Sequence, residues 1–120
     1  MAASVTITEI TACSVKKIIF DWTADSDGNA SDTTDSAYDG ELIALATVPD
    51  GDTPPSDNYD ATLTDANGHD VLINGGLNRD TSNTEIVKRA DLGAVSGSKL
   101  TFNISGAGSG GKGVAVVWLR

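Results

Sequence analysis

Few of the residues that carry chemistry are available to this chain. It has a single cysteine, Cys13, so no disulfide can close within it. A lone thiol beside a strand is expected to be a small buried apolar group, and a cytoplasmic origin fits it. It has a single histidine, His69, set among turn-forming residues. General acid–base work normally needs a histidine or a tuned carboxylate beside a partner, and no Gly-x-Ser-x-Gly elbow supplies a nucleophile. No enzymatic activity is therefore expected. No apolar run is long enough to cross a bilayer. The first residues lack a basic patch followed by an apolar stretch, so no secretory signal is expected either. Basic residues are missing from half of the chain: residues 18–78 hold thirteen Asp or Glu and no Lys or Arg. An acidic middle repels phosphate, which argues against nucleic acid as a partner.

What is present is a strand-forming pattern broken by polar loops. One domain over residues 1–120 is expected at this length. Scaling predicts a folded surface of roughly 6,000 Å², about a third of that of the unfolded chain, which suffices for one core. In residues 15–22 the apolar Ile18, Phe20 and Trp22 alternate with Lys17, Ile19 and Asp21, the period of a strand with one face in a core. Residues 41–48 are apolar on both faces, as in a covered strand. Between the two lies a polar stretch, residues 23–39. A loop of that length normally has a task, and the expectation is that it reaches outward to a partner from a rigid wall of strands.

The rest of the chain repeats this style. Residues 4–8 alternate and are β-branched, which predicts a first strand. Pro54 and Pro55 exclude a strand around them. Tyr59, Ala61 and Leu63 face one way in a half-exposed strand, and Asn67-Gly68 supplies positive φ angles for a turn into a short strand at 71–73. Gly75-Gly76 lets the chain bend freely. Residues 84–89 suit either a strand or a helical turn. Leu100, Phe102 and Ile104 point inward from another strand, and residues 114–119, apolar on both faces, belong in the centre of a sheet or under a subunit contact. Short strands at this spacing predict an all-β fold, an antiparallel β-sandwich or jelly roll of seven to eight strands with long polar loops.

Three constellations invite a chemical reading. The glycines of residues 106–112 match the spacing of a phosphate loop, but Gly113 stands where Ser or Thr would bind magnesium, and a strand follows instead of a helix. A glycine-rich hairpin loop accounts for them better. Residues 25–32 place oxygen donors at alternate positions, as hard cations favour, yet Ala30 occupies the position of the required glycine and Ser36 that of the bidentate Glu. A solvated loop is the better reading, and no metal or cofactor is expected. Trp22 and Trp118 end or nearly end their strands, as core residues or as candidate subunit-interface residues at a wet rim.

Several features then combine. They are Asp21-Trp22, Tyr38-Asp39-Gly40, Tyr59 with Asp60 and Thr62 to Asp65, Asn67-Gly68 with Asp70 to Leu72, and the glycine-rich run into residues 110–119. Over residues 15–119 the chain resembles a family of small virion proteins of tailed bacteriophages. Some small all-β proteins of that type are capsid cement or decoration proteins. The resemblance implies a major capsid protein as partner, a homo-oligomer (dimer or trimer), and a place on the capsid surface of the virion after assembly in the bacterial cytoplasm. On this reading Lys16, Lys17, Arg79, Lys88 and Arg89 are candidate capsid-facing residues, gathered toward an acidic shell. Another virion part (tail, neck or head fibre) is the nearest alternative. A calcium- or carbohydrate-binding adhesion module is a further one, with Tyr38 and Tyr59 the only residues suited to stack on a sugar.

Overall fold

The computed structural model describes residues 2–120, and it is an all-β antiparallel sandwich. Nine strands form among the described residues: β1 Ser4–Ala12, β2 Val15–Thr23, β3 Ala30–Thr33, β4 Tyr38–Pro49, β5 Asp60–Thr64, β6 Glu85–Lys88, β7 Ala94–Ser98, β8 Thr101–Ser105 and β9 Lys112–Leu119. The larger sheet runs β1-β2-β9-β4-β6, with β7 added to the first residues of β4. The smaller sheet is β3-β8-β5. The last strand lies at the centre of the larger sheet, as its two apolar faces require.

The core fills the space between the sheets. From the larger sheet it takes Ile18, Phe20, Trp22, Leu45, Val117 and Leu119; from the smaller, Ala61, Leu63, Phe102 and Ile104. The alternation of β2 and β8 seen in the sequence is the alternation of burial in the fold. Phe20 and Phe102 stack across the gap with ring centroids 4.4 Å apart. Trp22 leans on Tyr59 at 5.4 Å. It can do so because its strand partner is Gly113: a Cβ there would stand 2.8 Å from Cζ2 of the indole.

Four expectations change on folding. Residues 23–39 are not one open loop. Asp25 Oδ1 accepts the amides of Asp27 and Asn29, Ala24 N–H bonds to Gly111, and β3 then pairs with β8 in the other sheet. The stretch is the crossover between the sheets, and Asx turns and a short strand satisfy its backbone. The glycine-rich loop joins β8 to β9, which lie in different sheets, so it is no hairpin. Residues 71–73 are turns, not a strand, although Val71 and Leu72 reach the core. In the preceding turn only Gly68 has positive φ, at 83°, and Asp65 Oδ1 caps the amides of Asn67 and His69. Residues 84–89 take both options, β6 followed by a 3-10 turn at Arg89–Asp91.

Cys13 is the fifth correction. It sits at the tip of the β1–β2 hairpin with φ 55° and is exposed rather than buried.

Candidate functional site

Sheet faces in an antiparallel sandwich normally alternate apolar inward and polar outward. The outer face of the larger sheet does not. The pairings place Thr8, Ile19, Val116, Ala46 and Ile86 side by side across β1, β2, β9, β4 and β6. One step along the strands, the next row is Ile10, Lys17, Trp118, Ala44 and Lys88. On the other side stand Thr6, Asp21, Val114 and Val48. No described element of the fold covers this face. Ile86 is 69 % exposed and Ile10 40 % exposed; between them Ile19, Val116, Trp118 and Ala44 are half-buried and Ala46 is buried. An apolar band spanning a whole sheet is the mark of a surface that meets another molecule.

Its charge also departs from the rest of a chain whose formal net charge is −9. Lys17 and Lys88 flank the apolar row, with Lys112 at the end of β9, and the only acid in the rows is Asp21. Lys112 is partly offset by Asp50, whose carboxyl the amides of Thr53 and Asp52, and then Lys112 itself, hold below the ordinary carboxylate range.

The five cations expected to gather do not share one surface. Lys17 and Lys88 lie on the outer face. Lys16 alternates to the inner side, where its Nζ donates to the Asp39 carbonyl at 2.8 Å. Arg79 is tied to Glu85 at 3.6 Å and to the Leu77 carbonyl. Arg89 pairs with Glu41 at 3.3 Å, both side chains being more than half exposed. Trp118 is on the outer face, half-buried, beside Lys17 and Ala44. Trp22 is not at a rim. It is 1 % exposed, and its Nε1 is buried without a hydrogen-bond partner, so the wet edge that a rim position requires is missing. Ile10, Ile86 and Lys112 escaped the sequence reading; the parity of their strands carried the signal, but only the strand order assigns it to one face.

Other clusters offer less. Tyr38 and Tyr59 are 6 % and 1 % exposed, so neither presents a ring to a sugar; burial raises the Tyr59 phenol to about 12. Among the described residues no three His, Cys, Asp or Glu side chains come together as metal ligands would, and Asp25 is spent on its own loop. His69 is exposed, 3.9 Å from Asp65, and Cys13 is exposed at a hairpin tip. Neither lines either of two surface grooves, one of about 270 Å³ beside Asp25, Ser31 and Asn103, the other of about 330 Å³ beside Arg79, Glu85 and Asp91. No described helix is long and apolar enough to cross a membrane.

One polar cluster stiffens the wall. Glu9, on the inner side of β1, accepts the Tyr38 hydroxyl at 2.6 Å and the amides of Asp35 and Ser36. Desolvation pushes the Glu9 carboxyl upward, but these hydrogen bonds together outweigh it and hold it below its ordinary value. Burial, then the bond to Glu9, raises the Tyr38 phenol. A carboxyl depressed in the folded state stabilises above its unfolded pKa, and that stability is lost as pH falls through the folded value. Glu9, Asp50 and Asp80 all have this sign. The urea midpoint should therefore fall on acidification through and below the ordinary carboxylate range, and Glu9→Gln should flatten part of that fall. Tyr38→Phe should cost about 1.5–3 kcal/mol at neutral pH, the value of a hydrogen bond to a charged acceptor. An unchanged acid profile in Glu9→Gln would show that the cluster does not stabilise the native state.

No protein-family model matches this chain, and a search of the curated proteins finds no match to it.

Proposed function

We propose that this protein is a capsid cement or decoration protein of a tailed bacteriophage, a non-enzymatic module that binds the outside of the major capsid protein lattice and stabilises the shell. The observation that carries this reading is the outer face of the larger sheet, an uncovered apolar band flanked by Lys17 and Lys88 in a chain that is otherwise strongly acidic. Such a face suits a broad, rigid, weakly acidic surface better than a small substrate. A stiff β scaffold keeps the face in one shape, so little conformational entropy is lost on docking. A shell repeats its surface many times, so modest contacts suffice when copies are linked. The resemblance in residues 15–119 points the same way. On this reading the protein stands on the capsid surface of the virion, having been assembled in the bacterial cytoplasm, and needs no cofactor.

The test is co-sedimentation of the purified protein with expanded capsids. Binding is expected, weakened by Ile86→Glu and by Lys17→Glu, both on the outer face. Raising salt to about 1 M should weaken it further, because screening then acts within about 3 Å. Binding indifferent to salt and to both substitutions would overturn the assignment of this face. A copy number per virion of a dozen or fewer would move the protein to the tail or neck.

A further inference from the structure

Each sheet of the sandwich ends in two edge strands, and three of these four edges are blunted. β6 has four residues, carries Glu85 and Lys88, and runs into a 3-10 turn. β3 has four residues and carries Asp32. β5 is capped by the chain that follows it: Val71 N–H bonds to Leu63, Leu63 N–H to the Asp70 carboxylate, and Ala61 N–H to Gly76. The added strand β7 is short, and its register against β4 is broken by a bulge. β1 is different. It has nine residues, six of them Val, Ile or Thr, with no proline and no bulge. Its only charge, Glu9, is turned inward onto Tyr38. Natural proteins protect open edges with lysine, proline, bulges, inward-turned charges or brevity; of these β1 has only the inward-turned Glu9, whose carboxylate is already satisfied by the Tyr38 hydroxyl and the amides of Asp35 and Ser36.

The free groups on this edge can be identified. The hairpin closes through two residues, so Ala12 and Val15 form a hydrogen-bonded pair. Alternation then directs the N–H and C=O of Val5, Ile7, Glu9 and Thr11 away from β2. Among the described residues, no backbone or side-chain group bonds to these four amides or carbonyls on that side.

We infer that β1 pairs with β1 of a second copy, antiparallel about a twofold axis, in the register that sets Thr8 against Thr8. That register matches Val5 with Thr11 and Ile7 with Glu9, twice over, and satisfies all four residues in each copy. Shifting the pairing by one residue along either strand aims the ladder groups past one another, and shifting by two leaves some unpaired. Thr8 meets Thr8 on the outer side, a favourable cross-strand pair, and Glu9 does not face Glu9. The occupant is a copy of this chain because an antiparallel edge with a twofold axis is complementary to itself. The axis stands normal to the sheet, so both apolar faces turn the same way and the row Thr8, Ile19, Val116, Ala46, Ile86 continues into its mate. The dimer does not depend on the shell-binding reading; it would give that reading a doubled face and two-point attachment.

Sedimentation equilibrium of the whole chain is expected to give twice the 12.3 kDa monomer mass. Thr8→Lys, at an exposed position, places two cations face to face on the axis and should raise the dissociation constant about tenfold or more while leaving the circular dichroism unchanged. Trapping fixes the register. In a Cys13→Ser background, Thr8→Cys puts two sulfurs on a non-hydrogen-bonded pair with Cα atoms about 4.5 Å apart, inside the disulfide range of about 4.4–6.8 Å. It should form disulfide dimers on mild oxidation, and Thr6→Cys, which faces Ile10 of the other copy, should not. A monomer at all concentrations would overturn the inference. So would equal cross-linking of both variants, or a dimer that survives Thr8→Lys and is lost on Ile86→Lys, which would mean that copies meet face to face instead.

Discussion

Phe102→Ala is expected to cost about 3–5 kcal/mol of folding stability, in the range for truncating a large aromatic in a core. Phe102 is 1 % exposed, and its ring stacks on Phe20 at 4.4 Å with 9° between the planes. Phe20 belongs to the larger sheet and Phe102 to the smaller, so this pair is where the two sheets grip each other. Removing one ring leaves a cavity that neither sheet can close without tilting, because each is held by its own ladder of hydrogen bonds. Domains of this size have about 5–15 kcal/mol in total, so the variant should unfold at a much lower urea concentration. Ile86→Ala is the matched control: Ile86 is 69 % exposed, and its truncation should change stability by no more than about 0.5 kcal/mol. A loss below about 1 kcal/mol in Phe102→Ala would mean that the sheets are held elsewhere.

Gly76→Val should be as damaging, for a reason that composition hides. A Cβ at Gly76 would collide with the backbone carbonyl of Ala61, and with Leu72 behind it. The carbonyl cannot rotate away, because Ala61 lies in β5 and its amide already bonds to the Gly76 oxygen at 2.8 Å. Overpacking of this kind costs about 1–3 kcal/mol where neighbours can shift, and more where the obstacle is backbone, so a loss of at least about 3 kcal/mol is expected. Two other glycines calibrate it. Gly68→Ala, with φ 83° and open space around it, should lose about 1 kcal/mol from backbone strain alone. Gly51→Ala has neither constraint and should be near neutral. The order of the three urea midpoints is the measurement. If Gly76→Val proved no worse than Gly68→Ala, the close approach of the 74–79 segment to β5 would be wrong.

Much of the fold could be read from strand periodicity. The alternation of Ile18, Phe20 and Trp22, and of Leu100, Phe102 and Ile104, identified both the strands and their buried faces, because a side-chain period of two is imposed by the backbone itself. Pro54 and Pro55 marked a loop for an equally local reason. The reading failed where a contact distant in sequence decides. Residues 30–33 are a strand only because β8 is there to pair with them, and their own composition of Ala, Ser, Asp and Thr gives no sign of it. Gly75-Gly76 suggests freedom to bend and is instead a close approach. A lone thiol beside a strand suggests burial, yet Cys13 lies exposed at a turn, since a thiol's burial depends on what covers it.

The candidate site divides in the same way. Local sequence determined which residues alternate, which stretches turn, and that the last strand is apolar on both sides. It therefore determined an all-β chain with some strands apolar on both faces. Only the tertiary structure decided where the second faces go. It did so by inserting β9 between β2 and β4, which aligns Ile19, Val116, Ala46 and Ile86 in a single row and leaves β1 at an open edge. The physical reason is that side-chain parity is fixed within each strand, whereas strand order is set by long-range hydrogen-bond pairing, and it is the order that turns separate half-exposed residues into a surface.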